Sequence, residues 1–149
     1  MRALTCKDLK LKIPRLLLAV NLPYLPIIQH ALSDYDLCGA TTILQAQRLL
    51  IEDGFDMCII SIHFDDSRAV ELINFMSESK EHKNTPIIVL RLHASEHTAL
   101  LKSTVDALKK TVNVCEYLEA SKETELTTRL RQAVAKHLHI ENYLLQQNH

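Results

Sequence analysis

Asp56-Met57-Cys58-Ile59-Ile60-Ser61-Ile62-His63 runs without a break into Phe64-Asp65-Asp66-Ser67. The first part is a short continuous apolar run, and the second is polar and turn-like. A run of this kind fits a strand covered on both faces, and such strands belong to parallel sheets. Its neighbours in sequence have the same character. Arg15 to Val20, Leu37 to Ala40, Ile87 to Leu92 and Val112 to Leu118 are further short apolar runs. Segments of helical spacing lie between them. Leu25 to Leu32 follows Pro23 and Pro26, which suit a loop and a first helical turn. Ile43 to Ile51 carries Ile43, Ala46 and Leu50 on one face, with Gly54 just past its end as a candidate C-cap.

After the central strand, Asp66 or Ser67 is expected to cap a helix whose apolar face is Ala69, Leu72, Ile73 and Met76. Thr85-Pro86 marks its exit. Ser95 is placed to cap a further helix carrying Leu101, Val105 and Leu108. The last helix begins after Ser121, with Glu123 in its first turn or Glu125 completing a capping box. It carries Leu126, Leu130, Ala133, Val134 and Leu138. Strands alternating with helices, joined by right-handed crossovers, predict a doubly wound α/β three-layer sandwich of the flavodoxin-like kind. In such sheets, sites form at the carboxyl ends of the strands. Asn21, Ser61, His63, Arg91, His93 and Glu119 fall at those ends.

The chain has 149 residues, enough for one domain with one core. Residues 1–13 read as an N-terminal arm, 14–136 as the domain, and 137–149 as an extension of the last helix. The formal net charge is -1 with both signs interspersed, so no basic stripe argues for nucleic acid and no charge asymmetry argues for a membrane surface. Leu16 to Val20 is too short to span a bilayer and is followed by Asn21, Pro23 and Pro26, so no signal peptide is read and the cytoplasm is the default. Cys6, Cys38, Cys58 and Cys115 form no CxxC pair and are expected to be free thiols, those in the strand-like runs serving as small core residues. Only Gly39 and Gly54 are glycines, which excludes a Gly-rich phosphate cradle.

With Leu16-Leu17-Leu18-Ala19-Val20 leading to Pro23, Asp56 five residues before Ser61, Thr85-Pro86-Ile87-Ile88-Val89-Leu90, and Tyr117-Leu118, the chain resembles the receiver domain of two-component response regulators. The resemblance covers about residues 14–136 and implies strand order 2-1-3-4-5. Receivers accept a phosphoryl group on an aspartate at the end of the third strand and hold magnesium with an acidic pair after the first. They contact the phosphoryl group with a lysine after the fifth strand and sense it with a threonine or serine after the fourth. Carried onto this sequence, the acidic pair falls on Val20 and Asn21 or, with a one-residue slip, on Asn21 and Leu22, the phosphoacceptor on Ser61, the threonine or serine on Arg91, and the lysine on Ala120. Tyr117 matches the aromatic that swings with the switch.

These letters lack the family's chemistry. Magnesium wants oxygen ligands, usually with one or two carboxylates. A serine hydroxyl is a poor nucleophile without a base beside it. Ala120 brings no cation to neutralise a transferred phosphoryl group. The resemblance therefore implies a degenerate receiver, a pseudo-receiver: a phosphorylation-independent protein-interaction module in bacterial-type two-component signalling, not an enzyme, with no cofactor and no metal. Arg91 is expected to fork onto a carboxylate such as Asp65 or Glu119. The alternative is a small-ligand or anion sensor with Arg91 receiving the anion. A metal site from His63, His93 and His97 has no recognised spacing. A Ser61–His63 hydrolase pair lacks the sharp turn that exposes such a serine. Leu138, Ile140, Tyr143, Leu144 and Leu145 continue the apolar content of the last helix beyond the domain. They form a candidate interface with a protein partner or with a second copy as a homodimer.

Overall fold

The computed structural model describes residues 13–92, 106 and 114–147, with side chains through Leu138. Strands β1 (Arg15–Ala19), β2 (Asp36–Ala40), β3 (Met57–Ser61), β4 (Ile87–Leu92) and β5 (Val114–Ala120) form one sheet in the order β2-β1-β3-β4-β5. All four pairings are parallel. A 3-10 turn at Leu22–Tyr24 leads into helix α1 (Leu25–Ala31), and α2 (Ile43–Glu52), α3 (Ala69–Glu78) and α4 (Glu123–Gln147) are the longer described helices, with a short helical turn at Phe64–Ser67 after β3. Ser95, Leu101, Val105 and Leu108, and with them the expected helix after β4, lie outside the described residues, as do His93 and His97.

Strand alternation explains the two cores. Leu17, Ala19, Cys58, Ile60, Ile87 and Val89 face α2 and α3. Leu16, Leu18, Met57, Ile59, Ile88 and Leu90 face α1 and α4. The central strands are apolar apart from Arg15, Ser61 and Arg91, because both faces are covered. The edges differ: β2 and β5 are partly exposed along most of their length. Cys115 is accordingly exposed and not a core residue, although its thiol rests on the Ile87 carbonyl at 3.5 Å and is pushed up to about 11, mainly by partial burial. Cys38 is half-buried and Cys58 fully buried, and both are free thiols.

Local expectations fail at three places. β5 runs to Ala120, two residues beyond the expected end at Leu118, so Ala120 is a strand residue and not a loop residue. Gly54 does not form a left-handed cap, since neither glycine has positive φ, and α2 ends on Asp53 in an extended conformation. Asp66 and Ser67 do not cap α3. The residue at its N-cap is Arg68, with no side-chain cap. Asp65, Asp66 and Ser67 instead take left-handed φ values of 45°, 56° and 67°. The last helix is unbroken from Glu123 to Gln147. The side chains of Ile140, Tyr143, Leu144 and Leu145 lie outside the described ones, and Leu138 is a buried core residue.

Candidate functional site

The carboxyl ends of β1, β3, β4 and β5 gather the residues singled out in sequence. Val20 follows β1, is fully buried, and donates its N–H to the Ala40 carbonyl. Asn21 starts the 3-10 turn, its carbonyl accepting from Tyr24 and Leu25. Its side chain reaches across the crevice, with Nδ2 donating to the His63 carbonyl at 3.1 Å. The loops after β1 and β3 are thereby tied directly to each other. Asn21 Oδ1 is buried, with no hydrogen-bond partner among the described residues. Ser61 ends β3 beside Leu90 of β4 and is 2% exposed.

The left-handed turn after β3 has a structural use. Asp65 Oδ2 accepts the Ile43 N–H at 2.8 Å, at the start of α2. Thr42 caps the same helix by accepting from Gln45 at 3.3 Å. One orphan donor at the helix start is thus satisfied from a different segment, and a negative charge sits at the positive end of the helix. Arg68 lies 4.0 Å from the same carboxylate. Non-glycine residues resist left-handed backbone, and Asp resists it least because its short side chain can bond locally.

Arg91 occupies the face of β4 shared with Ile87 and Val89. It is only 1% exposed, an unusual place for a guanidinium. Its neighbour across the ladder is Glu119, and Nη1 meets Glu119 Oε1 at 3.2 Å. Of the two carboxylates expected within its reach, Glu119 is the partner in this structure. Tyr117 donates its hydroxyl to the same Glu119 oxygen at 2.7 Å. Burial, followed by this bond to a carboxylate, pushes the Tyr117 phenol up to about 12. The guanidinium is enclosed, with Nη1 held by Glu119. At the end of β5, Ala120 helps line a cavity of about 100 Å³ with Tyr24, Ile27, Leu92 and Leu126.

A magnesium ion does not fit this crevice. Val20 offers no side-chain oxygen, Asn21 a neutral amide, and Ser61 a buried hydroxyl. The Asp65 carboxylate in the loop after β3 accepts the Ile43 N–H through Oδ2 and lies 4.0 Å from Arg68. Hard divalent cations need more negative oxygen than this set provides. Among the described residues, no three His, Cys, Asp or Glu side chains cluster as a metal site.

Two polar centres carried no signal in sequence. His82 is 2% exposed and bridges the end of α2 to the loop before β4, with Nε2 2.9 Å from the Leu50 carbonyl and Nδ1 3.2 Å from Thr85 Oγ1. Arg15 gathers Asp36 and Asp53 around its guanidinium and stacks over Phe55 at 5.2 Å. Both sit at the opposite end of the sheet from the crevice and staple the fold.

Strand order, parallel register and helix placement together match solved structures closely. A response regulator from Hahella chejuensis superimposes with a TM-score of 0.68 at 17% identity, covering 84% of this chain and 95% of that one. The fold is that of a receiver domain. The chemotaxis response regulator CheY4 of Vibrio cholerae gives 0.65 at 17% identity, covering 83% and 99%. The receiver domain of a sensor histidine kinase from Pseudomonas aeruginosa, solved with magnesium coordinated in its active site cleft, gives 0.59 at 18%, covering 80% and 95%. No protein-family model matches the chain, and no curated protein does. Among the described residues, no helix is long and apolar enough to cross a membrane.

Proposed function

We propose that this receiver fold works as a pseudo-receiver, a protein-interaction module of two-component-type signalling that is independent of aspartyl phosphorylation and is not an enzyme. The observation that carries the reading is the Asn21–His63 bond. Where the resemblance would put a metal-bridged pocket, an amide side chain closes the crevice by itself. Ser61 brings a buried hydroxyl where the resemblance would put a carboxylate. Arg91, Glu119 and Tyr117 then hold the β4–β5 side in one arrangement, which gives a partner a fixed surface to read. Its partners are signalling proteins. The continued helix α4, with Ile140, Tyr143, Leu144 and Leu145 in its sequence, is an element that can reach them.

The test is a titration of the full chain with magnesium, alone and with beryllofluoride, followed through the amide resonances of Asn21, Ser61 and His63. The reading expects these resonances to stay in place. Saturable shifts at all three, strengthened by beryllofluoride, would return the domain to conventional phosphoryl chemistry.

A further inference from the structure

Among the described residues, left-handed backbone is confined to Asp65, Asp66 and Ser67, at φ 45°, 56° and 67°. Three such residues in a row, none of them glycine, are strained, because L side chains enter this region singly and seldom in runs. The sequence here asks for the other hand. Two carboxylates and a serine just before an amphipathic helix suit its first turn, where the positive end of the helix favours negative charge. The structure puts Arg68 at that N-cap instead, a cation with no side-chain cap. Local preference and observed conformation therefore oppose each other over the same three residues.

What holds the left hand is a contact from outside the turn. Asp65 Oδ2 accepts the Ile43 N–H at 2.8 Å, and Arg68 adds a weak, exposed contact to the same oxygen at 4.0 Å. Packing does not hold it. Asp66, Ser67 and Arg68 are exposed, between the buried anchors Phe64 and Ala69. The ends also permit a change of hand. Turns of opposite hand follow mirror-image backbone paths, so both span the same gap from Phe64 to Arg68. The Arg68 N–H donates to the Phe64 carbonyl at 2.8 Å, a bond that closes a helical turn of either hand. His63 and Arg68 border the turn at φ −96°, ψ 13° and φ −92°, ψ 16°. This is the region between sheet and helix used by turns, and such terminal positions absorb changes in φ and ψ.

We propose that Asp65, Asp66 and Ser67 form a two-state switch between the crevice and helix α2. In the described state the turn is left-handed and latched to α2 by Asp65. In the second state it is right-handed, α3 begins one turn earlier with Asp65 and Asp66 in its first turn, and the Ile43 N–H is released. Thr42 still caps α2 through Gln45, so the release does not unwind that helix. The turn starts from His63, whose carbonyl holds Asn21, so the crevice and the start of α2 lie on either side of one movable element. A protein partner touching the first turns of α2 and α3 meets a different surface in each state and draws the equilibrium toward the one it binds better. The switch stands on the turn alone and is independent of phosphoryl chemistry in the crevice.

Amide-nitrogen relaxation dispersion on the full chain tests this. The wild type is expected to exchange on the millisecond scale with a minor state on the order of 1%, at one shared rate for Asp66, Ser67 and the Ile43 amide. The double variant Asp66→Gly, Ser67→Gly alters only exposed positions. Glycine takes left-handed backbone freely and is poor in a helix, so this variant is expected to lose the exchange. Asp65→Ala removes the latch and favours the helix, and is expected to enlarge the minor state about tenfold. A loop that is merely loose would behave in the opposite way and gain motion with glycine. Flat wild-type profiles, exchange that grows in the glycine variant, exchange at the turn with none at Ile43, or a minor state unchanged by Asp65→Ala would each overturn the proposal.

Discussion

Arg91 and Tyr117 converge on one oxygen. Glu119 Oε1 accepts from the Arg91 guanidinium at 3.2 Å and from the Tyr117 hydroxyl at 2.7 Å. A buried cation, a half-buried phenol and a half-exposed carboxylate thus form one unit at the carboxyl end of the sheet, and the energetic weight of that unit is unequal among its members.

Removing the carboxylate takes away one charged partner of a buried cation. Glu119→Ala is expected to destabilise the domain by roughly 1–3 kcal/mol, less than for a fully buried pair because Glu119 keeps contact with water. Arg91→Met fills much of the same volume without a charge to solvate, and is expected to be neutral or mildly stabilising. Urea denaturation of both variants measures the difference. Equal losses from the two would show that the pair acts symmetrically.

The phenol of Tyr117 reports on the same unit. Its pKa is raised in the folded chain, to about 12, so the folded state holds its proton more tightly than the unfolded state does. The resulting stabilisation is complete below the unfolded value near 10 and is lost as pH rises through the folded value. Absorbance titration near 295 nm should show a high step that Tyr117→Phe removes. Glu119→Gln takes away the charge next to the hydroxyl and should move that step downward.

The left-handed turn separates strain from use. Asp66 is exposed at φ 56° with no side-chain hydrogen bond among the described residues, so Asp66→Gly is expected to stabilise by up to about 1 kcal/mol. Asp65 holds the start of α2, so Asp65→Ala is expected to cost about 1–2 kcal/mol despite the same backbone. Thermal melts of the two variants should move in opposite directions.

His82 is a third buried polar centre. His82→Phe fits by size but leaves the Leu50 carbonyl and the Thr85 hydroxyl without their ring partners. A loss of about 1–3 kcal/mol in chemical denaturation is expected. A stability unchanged within error would mean that water replaces the ring without penalty.

The sheet was readable because its signal is repeated. Each strand is a short apolar run, and helical periods of Ile43-Ala46-Leu50 and Ala69-Leu72-Ile73-Met76 separate them, so pattern, length and turn residues agreed along the chain. The placement of Val20, Asn21, Ser61 and Ala120 at strand ends followed from that register. The misreadings share a cause. Asp66 and Ser67 look like helix caps because cap preference is local, whereas the turn's conformation is set by a bond from Asp65 to α2, 22 residues back in sequence. Cys115 looks like a core residue because its neighbours are apolar, but β5 is an edge. His82 gave no sign because its partners, Leu50 and Thr85, come together only in the folded sheet.

The pseudo-receiver reading is most directly tested by intact-mass spectrometry of the full chain after incubation with acetyl phosphate or phosphoramidate in magnesium. An unchanged mass is predicted, because the crevice offers a buried hydroxyl and an amide where transfer needs a carboxylate and a bound cation. A phosphoryl adduct mapped to Ser61, or to Asp65 or Asp66 beside it, would contradict it.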